Sequence, residues 1–297
     1  MNRHKILLIG AQGQVGTELS RTLQPIGDVV PVDIAGTPLT IDLGDHASIG
    51  TIVRRVNPSI IVNAAAYTAV DQAEQEPGIA QTINADAPGI LAEEAKTHGA
   101  LMVHYSTDYV YDGTKPEPFV ETDTPDPQNV YGKTKLAGDE AIAAAGCDYF
   151  IFRTSWVYGL YGRNFLLTMQ KLAREQDKLQ IVSDQIGGPT WSRMIAETTA
   201  QVLGQLNSPL CDRDASELSG VYHLTCGGKA SWYDFAKAIV DNEENPPAVE
   251  PIATADYPVP AKRPLNSLLS NDKLAETFGL RLPDWDTALA LCLSTGK

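Results

Sequence analysis

The chain has 297 residues, of which 43% are hydrophobic, and its formal net charge is −14. This composition is typical of a globular protein with one large domain, or with one large and one small domain. Lys and Arg form no basic run, and no apolar stretch approaches the roughly 20 residues of a membrane span, so the sequence excludes the usual nucleic-acid-binding and membrane-spanning classes.

Short apolar runs alternate with helical patterns along the first half of the chain. The predicted strands are Lys5–Ile9, Asp28–Asp33, Ser59–Asn63, Leu101–Ser106 and Tyr149–Thr154. The predicted helices include Gly16–Leu23, Ala47–Val56, Asp86–His98 and Tyr131–Ala144. Apart from the second, each strand is almost continuously apolar, as strands covered on both faces are. The sequence thus predicts an α/β fold, a Rossmann-type doubly wound parallel sheet with a smaller C-terminal substrate-binding part.

After about residue 155 this rhythm changes. The βα units are interrupted by Gly and Pro residues at 187–189 and by a polar loop near Asn207–Ser219. They are also interrupted by Pro-rich stretches at Asn245–Pro251 and Tyr257–Pro264. We expect a dinucleotide-binding domain over residues 1–155, later segments (roughly 181–225) that return to it, and a mainly substrate-binding part over 156–297.

The N-terminal apolar run Ile6–Ile9 is too short for a signal peptide. The four cysteines have neither CxxC nor metal-ligand spacing; they are Cys147, Cys211, Cys226 and Cys292. We therefore expect a cytoplasmic protein whose cysteines are small buried or half-buried residues in a reducing compartment.

A glycine-spaced loop follows the first strand and opens the first helix. Gly10, Gly13 and Gly16 allow a tight turn and a close approach of the backbone to a pyrophosphate, which the helix N-terminus would attract. Asp33, at the end of the second strand, can bond the adenosine ribose hydroxyls, and its charge would favour NADH over NADPH. The alternatives are a structural turn for the loop and a solvated loop acid for Asp33.

Two further segments end at the same edge of the predicted sheet. Asp42 and Leu43 follow a short apolar stretch and could flank the adenine. The small residues that follow Asn63 leave room for the central part of a cofactor. Helix–sheet packing explains small residues there equally well.

Tyr131 and Lys135 are four residues apart, so on a helix both project from one face. An ammonium about 4 Å from a phenol favours the phenolate by roughly 4 kcal/mol, or about 3 pKa units, before desolvation opposes it. Such a pair can serve as the acid for a carbonyl undergoing reduction. The alternative is an exposed helix face that carries a YxxxK pattern by chance.

The fourth predicted strand ends in Ser106 and Thr107, and ligands of open α/β sheets bind at the carboxyl ends of strands. Either hydroxyl could bond a substrate carbonyl beside Tyr131, although strand termination also explains the pair. We interpret His104 as a packed or hydrogen-bonded strand residue and not as a base.

These residues resemble the extended short-chain dehydrogenase/reductase family. The resemblance is carried by the loop GAQGQVG at 10–16 and the block VYGKTKLAGDEA at 130–141. It also rests on VNAAAYTAVDQAE at 62–74, HYSTDYVYDG at 104–113, FRTSWVYG at 152–159 and YHLTCGG at 222–228. Within the family the chain is most similar to reductases of dTDP-4-keto-6-deoxy sugars. The resemblance implies reduction of the 4-keto group of dTDP-6-deoxy-L-lyxo-4-hexulose by NADPH or NADH, which yields dTDP-L-rhamnose.

The resemblance also implies roles for individual residues. Tyr131 would donate the proton, Lys135 would orient the nicotinamide ribose and lower the Tyr131 pKa, and Thr107 would bond the substrate oxygen. Asp108 and Trp156 would contact the sugar. The implied cofactor-binding residues are Gly10, Gly13, Gln14, Val15, Gly16, Asp33, Asp42, Leu43, Ala65, Ala66, Tyr67, Thr68, Tyr105, Tyr131 and Lys135. Arg263, beside Pro264, is a candidate for the substrate diphosphate.

Three alternatives remain open from the residues. Dehydratases of the superfamily carry a second acid after the threonine and Asp108, and Tyr109 at that position argues against dehydration. A nucleotide-sugar epimerase shares the Tyr–Lys machinery. A non-catalytic cofactor-binding regulator would have the same fold, but such proteins often lose Tyr131 or Lys135.

Some members of the family bind Mg²⁺ at a dimer interface through acidic residues, including one at the position of Glu18. Arg193 stands where a second acid is expected, and the C-terminus Ser294–Lys297 is not acidic. We therefore interpret Glu18 as a possible metal ligand in a chain poorly suited to a Mg²⁺-bridged dimer. The expected partner is a nucleotide sugar, with no nucleic acid or membrane, and the chain is a monomer or a homodimer.

Overall fold

The computed structural model of the protein describes residues 4–208 and 213–295. The strands are β1 (His4–Ile9), β2 (Gly27–Asp33), β3 (Leu39–Thr40), β4 (Ile60–Asn63), β5 (Leu101–Thr107), β6 (Tyr149–Thr154), β7 (Val157–Tyr158), β8 (Lys178–Val182), β9 (Ile186–Gly187), β10 (Thr190–Trp191), β11 (Gly220–His223), β12 (Ala230–Ser231) and β13 (Ala248–Ile252). The helices are α1 (Gln14–Thr22), α2 (His46–Val56), α3 (Val70–Ala73), α4 (Pro77–Gln81), α5 (Ala87–His98), α6 (Val130–Ala145), α7 (Phe165–Glu175), α8 (Ser192–Leu206), α9 (Ala215–Leu218), α10 (Trp232–Val240), α11 (Asp272–Phe278) and α12 (Trp285–Thr295).

A seven-stranded parallel sheet forms the centre of the molecule, in the order β11-β6-β5-β4-β1-β2-β3. Three two-stranded sheets, β10-β7, β12-β9 and β13-β8, lie outside it. The central sheet has the doubly wound order in which successive strands turn outward from a central pair. The predicted α/β Rossmann-type fold is therefore confirmed.

Helices cover both faces of this sheet, because side chains alternate across each strand. Ile6 and Leu8 of β1 pack into one core with residues of α1, α8 and α11. Leu7 and Ile9 pack into a second core with residues of α2, α5 and α6. A third core lies among α7, α10, α12 and the short strands.

Local sequence explains several element boundaries. Helix α2 begins after Asp45, whose carboxylate accepts the Ala47 N–H, and it ends at Asn57 in the left-handed conformation. Helix α6 begins after Asn129, whose Oδ1 accepts the Gly132 N–H at 2.8 Å, and it ends at Gly146 with φ +76°. The caps place Tyr131 and Lys135 in the first two turns of α6.

The structure differs from the sequence-based expectations at two places. The Pro-rich stretch Asn245–Pro251 was expected to interrupt regular structure, but most of it forms β13, which pairs in parallel with β8. The predicted helix Asp86–His98 is preceded by a π-helical segment over Thr82–Asp86. Tertiary pairing at an edge strand accommodates Pro251 because an edge strand needs only half of its backbone donors.

Several expectations fall partly on residues outside the described ranges. The polar loop near Asn207–Ser219 contains the short helix α9 within its described part. Cys147, Cys226 and Cys292 are free thiols, whereas Cys211 lies outside the described residues, as does the end of the segment Ser294–Lys297. Over residues 4–208 and 213–295, every helix is too short or too polar to cross a bilayer.

Candidate active site

Two glycines of the segment that joins β1 to α1, Gly10 and Gly16, stand where a Cβ would not fit. A Cβ on Gly16 would overlap the Gly10 carbonyl oxygen, and a Cβ on Gly10 would stand 2.7 Å from the Ala65 nitrogen. Gly10 also has φ +77°, a conformation that glycine adopts at little cost. The N-cap residue Gly13 has no side chain to accept the first N–H groups of α1, which therefore remain available to an anion.

Side chains near the glycine loop, in addition to its backbone, are suited to binding a dinucleotide. Within the described ranges, Gln14 Oε1 is a buried acceptor without a hydrogen-bond partner. The Asp33 carboxylate is held beside the glycine loop, where it accepts the Gln12 N–H at 2.9 Å and the Ile34 N–H at 2.8 Å. These features fit the pyrophosphate and the adenosine ribose of a nicotinamide dinucleotide.

The other predicted cofactor residues have mixed environments. Leu43 is buried in the core beneath α2, while the Asp42 carboxylate accepts the Gly44 N–H. The Tyr67 hydroxyl donates to Glu76 at 2.6 Å, and this bond raises the pKa of Tyr67 to about 12. Thr68 is exposed. The sheet edge thus brings these segments together, but only some of their side chains face open space.

Tyr105 is placed differently from the other predicted cofactor residues. Its ring is buried in the core beneath α1 and α8, and its hydroxyl lies 2.8 Å from the Thr199 hydroxyl on α8. Only its backbone carbonyl reaches the Tyr131–Lys135 pair, where it accepts from Lys135 at 2.7 Å. The sequence could not distinguish these two sides of β5, because alternation fixes which residues share a face but not what covers that face.

Tyr131 lies at the start of α6, and its ring makes a T-shaped contact with that of Tyr109, with centroids 5.7 Å apart and an interplanar angle of 76°. Burial raises the pKa of Tyr131, and a hydrogen bond with Thr107 opposes that rise. Lys135, one turn later, is 1% exposed, and burial lowers its pKa to about 8 against the attraction of Asp139. A buried phenol beside a buried amine has the composition of a proton-donating site.

Thr107, the last residue of β5, joins this pair. Its hydroxyl donates to Asp108 Oδ1 at 3.0 Å and accepts the Tyr109 N–H at 3.2 Å. Burial raises the pKa of Asp108 to about 7. Predicted residues from β5 and α6, which are more than twenty positions apart in sequence, therefore meet at one end of the central sheet.

A cavity of about 550 Å³ opens beside Tyr109. Arg263 reaches into it, forms an ion pair with Asp71 at 2.6 Å, and donates to the Tyr109 hydroxyl at 3.3 Å. The remaining lining residues are Phe165, Thr168, Met169, Leu172, Gln176, Leu179, Gln180, Ile181, Val182, Gln185, Trp232, Tyr257 and Val259. Its size and its mixture of aromatic and charged groups suit a nucleotide sugar.

Trp156 supports one wall of this cavity. Its ring stacks on that of Trp232, with centroids 3.6 Å apart and an interplanar angle of 7°. The backbone of Trp156 has φ +46°, which non-glycine residues rarely adopt. Trp156, a predicted sugar contact, reaches the cavity through Trp232 and does not line it. Asp71, Phe165 and Trp232 do line it, and they could not be predicted because they come together only through contacts between distant segments.

Glu18, the possible metal ligand, is 2% exposed and faces Arg193, whose Nε lies 3.2 Å from its carboxylate. Arg21 lies 3.8 Å from the same carboxylate. Over residues 4–208 and 213–295, no group of three or more His, Cys, Asp or Glu side chains could hold a metal ion. Glu18 is therefore already paired with guanidinium groups.

Comparison with known proteins agrees with this geometry. The model of the RmlD substrate binding domain family matches residues 4–297. The chain is 48% identical to a dTDP-4-dehydrorhamnose reductase of Burkholderia thailandensis, over 97% of this chain and 98% of the relative. A crystal structure of a dTDP-4-dehydrorhamnose reductase from Clostridium acetobutylicum superposes with a TM-score of 0.89 at 37% identity, covering 98% of this chain and 99% of that one.

A second solved structure, a dTDP-4-dehydrorhamnose reductase from Bacillus anthracis in complex with NADP, also has a TM-score of 0.89, at 34% identity and with 99% of each chain covered. The residues that the family model matches, 4–297, include the glycine loop, the Tyr–Lys pair and the residues that line the cavity. The chain therefore belongs to the dTDP-4-dehydrorhamnose reductase (RmlD) family of extended short-chain dehydrogenases/reductases.

Proposed function

We propose that the protein reduces the 4-keto group of dTDP-6-deoxy-L-lyxo-4-hexulose to form dTDP-L-rhamnose, as an NAD(P)H-dependent oxidoreductase. The observation that carries this proposal is the hydrogen bond of Tyr131 with Thr107 beside Tyr109, which lines the cavity that Arg263 enters. The family relationship supplies the identity of the sugar nucleotide.

In this mechanism bound NAD(P)H supplies the hydride that reduces C4. Tyr131 donates its proton to the C4 oxygen, and the Thr107 hydroxyl bonds that oxygen and holds it against the phenol. Lys135 orients the nicotinamide ribose, and its charged form stabilises the phenolate left on Tyr131. In the cofactor-free protein the Thr107 hydroxyl donates its hydrogen to Asp108 at 3.0 Å, so the hydroxyl would turn that hydrogen to the C4 oxygen when the substrate binds.

We also assign each part of the chain a ligand. Residues 1–155, with a returning segment at roughly 181–225, would hold the dinucleotide, and most of 156–297 would hold the sugar nucleotide. Two observations support this division. Strand β11 completes the central sheet beside β6, and α8 packs with α1 beneath the glycine loop.

Loss of the Asp33 charge is expected to reduce the preference for NADH over NADPH. Asp33→Ala should change the ratio of the two kcat/KM values by about tenfold, because a carboxylate repels a 2′-phosphate. Steady-state kinetics with each cofactor would measure this ratio. Asp33→Asn is the matched control, since it removes the charge but keeps an acceptor for the Gln12 N–H. An unchanged ratio in both variants would contradict the role of the charge.

Arg263 is expected to bind the substrate diphosphate. Arg263→Ala should raise KM for the sugar nucleotide by about 10- to 100-fold, because a charge-assisted hydrogen bond contributes roughly 1.5–3 kcal/mol. Lys262→Ala is the matched control, because Lys262 is an adjacent but exposed cation bonded to Gln128 at 2.9 Å. Equal KM values for the two variants would place the diphosphate elsewhere.

The test of the whole proposal is to follow NADPH absorbance with dTDP-4-keto-6-deoxyhexose and to identify the product by NMR. Stoichiometric cofactor consumption with formation of dTDP-L-rhamnose is the expected result. An epimerised keto sugar without cofactor consumption would replace the proposal with an epimerase.

We propose that Glu18 serves as an ion-pair partner of Arg193 and Arg21 and not as a Mg²⁺ ligand, because guanidinium groups lie on its carboxylate. Turnover should then be insensitive to EDTA. A loss of activity that Mg²⁺ restores would contradict this assignment.

A further inference from the structure

Lys135 is the end of a row of buried polar side chains that crosses from β4 through β5 to α6. Asn63 and His104 are register partners on the neighbouring strands β4 and β5. Asn63 Nδ2 lies 3.2 Å from His104 Nδ1, and His104 Nε2 lies 2.9 Å from Lys135 Nζ. Asn63 and His104 are fully buried and Lys135 is 1% exposed, so the three side chains must satisfy one another's polar atoms.

The orientation of the Asn63 amide follows from its other contact. The Ala65 backbone N–H donates to Asn63 Oδ1 at 3.1 Å. A backbone N–H can only donate, so the amide oxygen must face Ala65 and the amide nitrogen must face His104. Asn63 therefore donates a hydrogen bond, and His104 Nδ1 accepts it through its lone pair.

This contact determines which tautomer His104 adopts. Burial and the proximity of Lys135 hold the pKa of His104 well below its ordinary value, so the ring is neutral and carries one proton. Because Nδ1 accepts, that proton is on Nε2 and points at Lys135 Nζ. An ammonium has no lone pair, so it cannot accept a hydrogen bond from the His104 Nε2–H. The two groups would then face each other as two donors, which is unfavourable.

A neutral amine resolves the conflict. Its lone pair accepts from His104 Nε2–H, one of its hydrogens is donated to the Tyr105 carbonyl at 2.7 Å, and the other remains for the nicotinamide ribose. With the amine neutral, both contacts in the row, Asn63 with His104 and His104 with Lys135, join a donor to an acceptor.

We propose that Asn63 and His104 are positioning residues that favour the uncharged amine of Lys135 in the cofactor-free protein, and so lower the pH above which the site loses its ammonium. The consequence for catalysis rests on the function proposed above, whereas the tautomer does not.

The other charged and titratable groups around Lys135 are consistent with this proposal. Asp139, one turn later on α6, attracts the ammonium, but its carboxylate is already paired with Arg153 of β6 at 3.1 Å and accepts from Ser106 at 2.9 Å. Burial raises the pKa values of Tyr131 on α6 and of Asp108 after β5. Tyr131 therefore stays neutral at pH 8, whereas Asp108, with a pKa of about 7, is largely ionised there. Asp139 thus opposes the effect of His104, and its pairing with Arg153 weakens that opposition.

The sign of the pH dependence follows directly. Burial already lowers the pKa of Lys135 to about 8, and the amine is charged below this pH and neutral above it. Reduction should therefore decline as the pH rises through about 8. In a protein where His104 accepts instead of donating, this decline should begin at a higher pH.

Nitrogen-15 NMR of histidine-labelled, cofactor-free protein tests the tautomer without any assay. The expected signature of His104 is a protonated Nε2 and an unprotonated Nδ1. His223 is the internal reference for the opposite state, because its Nδ1 lies 3.1 Å from the Ser270 carbonyl, which can only accept, while its Nε2 faces the Tyr111 hydroxyl. A protonated Nδ1 on His104 would overturn the proposal.

Asn63→Asp replaces the side chain by one of nearly the same shape but reverses the direction of the hydrogen bonds that run from residue 63 through His104 to Lys135. One carboxylate oxygen keeps the Ala65 N–H, and the other accepts from His104 Nδ1, so the ring proton moves and Nε2 accepts from an ammonium. We expect the His104 signals to switch tautomer and the alkaline limb of kcat to move up by about one pH unit.

Asn84→Asp is the matched control, since it also adds a carboxylate at a buried asparagine near α6, where Asn84 Nδ2 contacts the Thr134 hydroxyl and not His104. Asn84→Asp should leave the His104 tautomer unchanged, and it should shift the alkaline limb of the kcat–pH profile less than Asn63→Asp does. Equal shifts in the two variants would assign the effect to charge alone and overturn the role of His104. Failure of the keto-sugar assay with an intact tautomer signature would instead contradict only the proposed function.

Discussion

Tyr131→Phe is expected to lower kcat by about 10²- to 10⁴-fold while NADPH affinity changes little. The variant keeps the aromatic ring, which packs edge-on against Tyr109 at 5.7 Å, but it loses the proton that the C4 oxygen must receive. The magnitude is that of a positioned general acid. Single-turnover absorbance measurements give the rate of hydride transfer, and quenching of intrinsic fluorescence gives the cofactor affinity.

Tyr109→Phe is the control for this variant, since it removes a second phenol from the same cluster. Its hydroxyl accepts from Arg263 at 3.3 Å, so we expect its loss to act mainly on KM. If Tyr131→Phe retained full turnover, or if both variants lost kcat equally, Tyr131 would not be the specific proton donor.

Arg153→Met is expected to reduce the free energy of unfolding by about 3–5 kcal/mol, the largest stability effect that we foresee. Arg153 is 4% exposed and Asp139 is 3% exposed, and they are joined at 3.1 Å. Arg153 also donates to the Tyr111 hydroxyl at 2.9 Å. Removing one partner leaves the other charge buried without compensation. Urea denaturation at pH 7 would measure the change.

The deficit of Arg153→Met should grow with pH. Burial raises the pKa of Asp139 even with Arg153 present, and loss of the cation would raise it further. A carboxyl whose pKa is higher in the folded state binds its proton on folding, so its contribution to stability is lost as the pH rises. The deficit should thus be larger at pH 8 than at pH 5.

A double variant, Arg153→Met with Asp139→Asn, separates this explanation from simple loss of packing. Neutralising the orphaned carboxylate should recover most of the stability and abolish the pH dependence of the deficit. A double variant as unstable as Arg153→Met, with the same deficit at both pH values, would show that the charge is not responsible.

Five of the seven strands of the central sheet could be predicted from the sequence to within one residue, namely β1, β2, β4, β5 and β6, whereas β3 and β11 were not predicted. Leu101–Thr107 and Tyr149–Thr154 are nearly continuous in apolar residues because parallel strands are covered on both faces. The strand β13 could not be predicted, since Pro251 and the exposed residues around it have no strand pattern. Its conformation depends on pairing with β8, which is about 70 residues earlier in the chain.

Some features of the candidate site could also be predicted from the sequence, and others could not. The spacing of Tyr131 and Lys135 indicates a shared helix face, because helical periodicity is local. The cavity could not be predicted: the ion pair of Asp71 with Arg263 joins positions 192 residues apart, and the stack of Trp156 on Trp232 depends on the packing of β7 against α10.

By itself, the sequence determined the βα order, the loop spaced by Gly10, Gly13 and Gly16, and the Tyr–Lys pair, since each depends on local spacing or on runs of apolar side chains. Only the tertiary structure decided what surrounds Lys135. The parallel register of β4 and β5 sets Asn63 beside His104, and the packing of α6 on β5 brings His104 to Lys135. The sequence alone does not specify strand register or helix docking, because both depend on the burial of many side chains at once.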